Sequence, residues 1–114
     1  MTLTVLCGDI CYEDAEEAAI EKRRTVLIIQ NDIGNQFAPH TIIAAIHGDT
    51  GKRLPVFVPV PVPKGVGGLT KDSLVDCGHI ATISRERLGN PIGHLPQLYM
   101  SFVDKALKIS LQLK

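Results

Sequence analysis

The 114-residue chain is 45% hydrophobic, enough apolar content for one modest core and therefore a single domain over 1–114. Its longest apolar runs, Val26–Ile29 and Thr41–Ile46, fall far short of the roughly 20 residues that a bilayer span needs. Twelve Lys and Arg balance twelve Asp and Glu, which excludes affinity for nucleic acid through bulk charge and leaves any phosphate contact to local clusters.

Met1 to Leu6 is apolar but lacks a basic leader, and Gly8-Asp9 cuts it short, so it is expected to open a first strand, Leu3 to Tyr12, rather than a signal peptide. Cys7 and Cys11, four apart on that strand, would sit about 13 Å apart and cannot pair. With Cys77 the cysteine count is odd, which fits reduced thiols and a cytoplasmic protein. Glu13, Asp14, Glu16, Glu17 and Glu21 gather acid, and Lys22, Arg23 and Arg24 gather base directly after. Asp14 and Glu17 stand in capping-box spacing, so a short helix over Glu13 to Arg23 is in balance with a loop.

Thr25 to Gln30 is a nearly continuous β-branched and aliphatic run, a second strand that asks for burial. Asn31-Asp32-Ile33-Gly34-Asn35 is turn chemistry, and Thr41 to His47 predicts a third strand. Gly48 to Gly51 ends it, and a second basic pair, Lys52-Arg53, follows. Pro55, Pro59, Pro61 and Pro63 alternate with Val56, Val58, Val60 and Val62; each proline removes a ladder donor, so this is an edge strand or an extended segment. Gly65 to Gly68 is a turn, and Ser73 to Ser84 is the last long strand, with a bulge expected at Gly78.

Leu95 to Leu113 predicts a terminal helix. Its polar arc holds Gln97, Ser101, Asp104, Lys105, Lys108 and Gln112, while Leu98, Phe102, Ile109 and Leu113 form one apolar stripe beside Tyr99, Val103, Leu107 and Leu111. A small sheet covers one stripe, so the other is expected to meet a second partner. The fold class is mainly β with a C-terminal helix.

Gln30-Asn31-Asp32-Ile33-Gly34-Asn35 followed by Thr41-Ile42-Ile43-Ala44-Ala45-Ile46 resembles the strand-turn-strand signature of the MazF/PemK-type toxin endoribonucleases. Gly8-Asp9-Ile10, Lys71-Asp72-Ser73 and Val103 to Leu111 fall in the order of that family, although residues 13–23 and 48–70 are less similar. The resemblance implies an SH3-like small β-barrel with a C-terminal helix, dimeric across its sheet. It also implies the toxin of a type II toxin–antitoxin system, a metal-independent, cofactor-free and sequence-selective nuclease. Such toxins cleave single-stranded RNA by attack of a ribose 2′-OH on the adjacent phosphate, leaving a cyclic phosphate and a 5′-OH. The implied partners are the RNA, a second copy of the chain, and an antitoxin with an acidic, partly disordered segment.

By the same likeness Arg24 is the catalytic arginine, with Arg23 in reserve, and a guanidinium fork suits a phosphate. Where the family carries a Thr or Ser after Ala-Ala-Ile, this chain has His47, and an imidazole is at least as apt for proton transfer as a hydroxyl. Where the family usually has Glu-Gln-Ile-Arg-Thr, this chain has Gly78-His79-Ile80-Ala81-Thr82, so His79 becomes a group that stacks on or hydrogen-bonds to a base. Gln30, Asn31, Lys52 and Arg53 complete the expected RNA-binding set. Ala81, and Cys7 in place of an arginine before Gly8, remove positive charge from that path. A metal trio of His47, His79 and Cys77 matches no standard spacing and is set aside. Two other functions compete: a toxin fold that has lost nuclease power, and a gyrase poison of the CcdB type, against which Arg24 speaks.

Overall fold

The computed structural model describes residues 4–14, 23–51 and 58–114. The first strand, β1, runs Asp9–Glu13; residues 4–8 precede it without joining it, and Leu3, the expected start, lies outside the described residues. Gly8 stands at φ 95°, and the Asp9 N–H closes a turn on the Leu6 carbonyl at 2.9 Å, so residues 4–8 stand outside the ladder. Cys7 therefore lies in that turn and does not share a strand with Cys11; all three cysteines are free thiols. Of the helix expected over Glu13 to Arg23, Glu13 belongs instead to β1, and residues 15–22 lie outside the described residues.

Strand β2 is Arg24–Ile28. The segment read as a turn at Asn31 to Asn35 is a short helix, α1, over Asp32–Phe37. The same chemistry served a different end: Asn31 Oδ1 accepts the Gly34 N–H at 2.8 Å, which caps a helix as readily as it closes a turn. Asn35 is fully buried, and its Oδ1 accepts the Thr41 hydroxyl at 2.7 Å, tying α1 to β3, His40–Gly48. Next come β4, Pro59–Val62, β5, Ser73–Ser84, β6, Gly93–His94, and the terminal helix α2, Gln97–Ser110.

Among the described residues these strands form one antiparallel sheet in the order β4-β5-β3-β2-β1-β6. The described part of the proline strand, β4, is at its edge, as its missing N–H donors require, and Pro55 and Val56 lie outside the described residues. The turn at Val66–Gly68, after β4, packs on Ile92 and Gly93 at the opposite edge. A Cβ at Gly93 would fall inside the Gly67 carbonyl, and one at Gly68 inside that of Ile92. That glycine contact draws the two edges together, and the sheet curls into an open SH3-like barrel.

Both faces of the sheet are buried, which explains why β2 reads as an unbroken aliphatic run. Ile10, Leu27, Ala44 and Val75 pack beneath Met100 and Val103 of α2. Val5, Cys11, Val26, Ile28, Ile43 and Ile83 form the second core on the other face. Helix α2, shorter than the expected Leu95 to Leu113, buries Met100, Val103 and Ala106, while Leu98, Phe102 and Ile109, and Leu113 beyond its end, stay exposed, so the expected second stripe is uncovered in the single chain. No helix among the described residues is long and apolar enough to cross a membrane.

Candidate active site

The candidate site lies on the face away from α2. Its framework is the β2–β3 register, in which Val26 pairs with Ala45 and Thr25 with Ile46. One step further sets Arg24 opposite His47, so the two residues proposed for catalysis share a face at the mouth of the second core.

Arg24 is tied down on its other side. Its Nε donates to Glu13 Oε1, the carboxylate directly across β1. Glu13 is only 3% exposed, and its other oxygen lies 3.5 Å from Arg87 Nε. A buried carboxylate is costly unless paired, so Glu13 both requires Arg24 and fixes its stem. Arg23 is engaged with the surface: its guanidinium lies 4.9 Å over the Tyr12 ring and 3.8 Å from Asp14 Oδ1.

His47 has its own carboxylate. Its Nε2 lies 3.1 Å from Asp76 Oδ2, and Asp76, which pairs with Ala45 across the β3–β5 ladder, is 3% exposed. Asp76 Oδ1 accepts the Gly78 N–H at 3.0 Å, which locks the carboxylate in place. An ionised carboxylate only accepts, so this contact places a proton on Nε2 and leaves Nδ1 of the neutral ring as an acceptor.

His79 joins them because of an irregularity. The register slips between Ala44 and Ala45, which pair with Ile80 and Asp76, leaving Cys77, Gly78 and His79 outside the ladder as the bulge expected at Gly78. The slip brings the His79 ring to a centroid distance of 6.2 Å from His47, at 37° between planes. Cys77 instead packs in the core beneath α2, where burial, then the neighbouring Asp76, push its thiol up to about 12.

The remaining expected residues scatter. Gln30 Nε2 donates to Asn35 Oδ1 at 3.1 Å and to the His40 carbonyl at 3.0 Å, and Asn31 caps α1, so both side chains hold the fold locally. Lys52 and Arg53 lie outside the described residues. Asp76 and Glu13 were missed from sequence. The signal for Asp76 was a lone acid within the apolar run of Ser73 to Cys77, a position that demands a polar partner; Glu13 was hidden in an acidic cluster that resembled a helix start.

The site therefore offers an imidazole oriented by a buried carboxylate, a guanidinium across from it, and a second imidazole at the rim. That set can take a proton from an attacking hydroxyl and stabilise a charged phosphorane.

Residues 7–111 match the family model described as PemK-like, MazF-like toxin of type II toxin-antitoxin system. The chain is 39% identical over 110 residues to Endoribonuclease EndoA of Bacillus subtilis (strain 168), covering 93% of each protein. Among solved structures it is similar to Mycobacterium tuberculosis toxin MazF-mt6, with a TM-score of 0.75 at 25% identity over 93% of this chain and 98% of that one. A MazE-MazF crystal structure from Deinococcus radiodurans shares the fold, with a TM-score of 0.76 at 15% identity, covering 98% and 99%.

Proposed function

The chain belongs to the PemK-like, MazF-like toxins of type II toxin–antitoxin systems and is an endoribonuclease; from that premise we propose that it cleaves single-stranded RNA through His47 and Arg24. In this reading a ribose 2′-OH attacks the adjacent phosphorus, the 5′-oxygen leaves, and the products are a 2′,3′-cyclic phosphate and a 5′-OH. His47 Nδ1 takes the 2′-OH proton, Asp76 steadies the resulting imidazolium through Nε2, and the imidazolium then gives its Nδ1 proton to the departing 5′-oxygen, which returns the ring to neutral. Arg24, whose Nε is held by Glu13, stabilises the phosphorane with its remaining N–H groups. The reaction needs no metal and no cofactor.

The observation that carries this reading is the buried Asp76 carboxylate on His47, opposite the Arg24 position. A surface substitution without a role has no need of a buried anion to orient it. Family membership sets aside the gyrase-poison alternative.

The partners follow. The exposed Phe102 and Ile109 of α2 border a cleft of about 550 Å³ against Val58 to Pro61, a surface suited to a second copy of the chain. Arg23 and Arg24 beside the site suit an acidic, partly disordered antitoxin segment. Arg23, Lys52, Arg53 and His79 are the groups assigned to RNA, whereas Gln30 and Asn31, expected in that set, have their side chains committed to the local fold, with the cytoplasm as the place of action. The test is incubation of the purified protein with mixed-sequence RNA in EDTA, followed by end mapping. Cyclic phosphates and 5′-OH ends are expected; intact RNA would overturn the reading.

A further inference from the structure

Beyond proton transfer, the same rim carries a donor set of another kind. One ligand atom each from His47, Asp76 and His79 lie within 4.8 Å of one another. Two imidazoles and a carboxylate are the ligands of borderline divalent ions. A tetrahedral zinc with bonds of about 2.0–2.1 Å holds its ligand atoms about 3.3–3.4 Å apart. The His47 Nε2 to Asp76 Oδ2 edge, 3.1 Å, is already near that span. His79 is exposed and forms no rung with β3, so the contraction of the remaining edges from within 4.8 Å is asked of its side chain alone. Asp76 supplies a buried carboxylate fixed by the Gly78 N–H, the kind of outer support that ligating carboxylates require.

We propose that His47, Asp76 and His79 form a three-ligand site for a borderline divalent transition-metal ion such as zinc, with the fourth position open to solvent. The site stands on geometry alone, whereas its consequence rests on the role given to His47. Binding at Nε2 moves the ring proton to Nδ1, which can then no longer accept the 2′-OH proton. The ion is therefore an inhibitor of a reaction that needs no metal.

The test is calorimetric titration of the full chain with zinc chloride in a non-chelating buffer, alongside NMR of the imidazole nitrogens. One ion per chain is expected, with shifts at His47 and His79 and none at His40 or at His94, which has its own carboxylate partner in Asp9 at 2.9 Å. His79→Ala and Asp76→Asn should each weaken binding by at least about 10-fold. Both are to be checked for native circular dichroism. Wild-type affinity in both folded variants, shifts confined to His94, or no heat at about 100 µM zinc would each overturn the site. Zinc should also suppress RNA cleavage, with EDTA restoring it. Zinc bound at His47 and His79 without loss of cleavage would leave the site standing and overturn the proton-transfer role of His47, so the two readings fail separately.

Discussion

His47 and Asp76 face each other across β3 and β5, Nε2 to Oδ2 at 3.1 Å, although 29 residues separate them. Asp76 touches no substrate in the proposed reaction and acts as a positioning residue. Asparagine keeps its size but can offer an N–H to the ring, which removes the demand that Nε2 carry the proton. Asp76→Asn should lower kcat about 10- to 100-fold with little change in KM. Equal losses in both constants, or a parallel loss of folded protein, would make the role structural.

His47 itself offers three distinguishable outcomes. If the imidazole is the base, His47→Ala lowers cleavage by roughly 10² to 10⁴. A near-neutral effect would make it a surface substitution. Higher activity in His47→Thr than in the parent would mean that the natural site is attenuated, which would sink the imidazole mechanism while sparing the nuclease fold.

Arg24→Ala should abolish cleavage, and the fold should feel it too. Removing the guanidinium leaves the 3% exposed Glu13 with Arg87 alone, at 3.5 Å, a cost of about 1–3 kcal/mol. The double variant Glu13→Gln/Arg24→Ala relieves the burial of charge. Its urea midpoint should recover relative to Arg24→Ala while its activity stays lost. Recovery of activity would remove Arg24 from the chemistry.

Cys11 gives an alkaline limb to stability. Burial, then Asp9, raise its thiol from 9.0 to about 11 in the folded chain. The folded state therefore holds the proton more tightly than the unfolded one. That contribution is complete below pH 9 and is lost as pH rises through about 11. Urea midpoints should fall across this window, and Cys11→Ala should flatten the fall even if it lowers the plateau. At neutral pH, alkylation should reach half-buried Cys7 before Cys11, as read by peptide mapping.

Much of this architecture was legible in one dimension. Ser73 to Ser84 is strand throughout, the prolines mark an edge, and the surplus apolar stripe of α2 is exposed. Local chemistry decided those features. It did not decide Asn31 to Asn35, because capping and turning use the same side-chain hydrogen bond and only the buried Asn35–Thr41 contact selects the helix. Nor did it reveal the His47–Asp76–His79 cluster. Which face His79 takes depends on how many residues the bulge inserts, and that is set by the pairing of Ala44 and Ala45 with their partners. The trio set aside from the sequence named Cys77 beside the two histidines, where the fold supplies Asp76.

The slip in β5 also bears on how such a nuclease diversifies. Cys77, Gly78 and His79 form no rungs with β3, while the rungs on either side hold the barrel. Exposed His79 is thus a position that can change with little penalty to the scaffold, and with it the base contact and the metal ligand proposed above. A change at His79 therefore disturbs the scaffold less than one at Glu13 or Asp76, whose buried carboxylates tie them to partners.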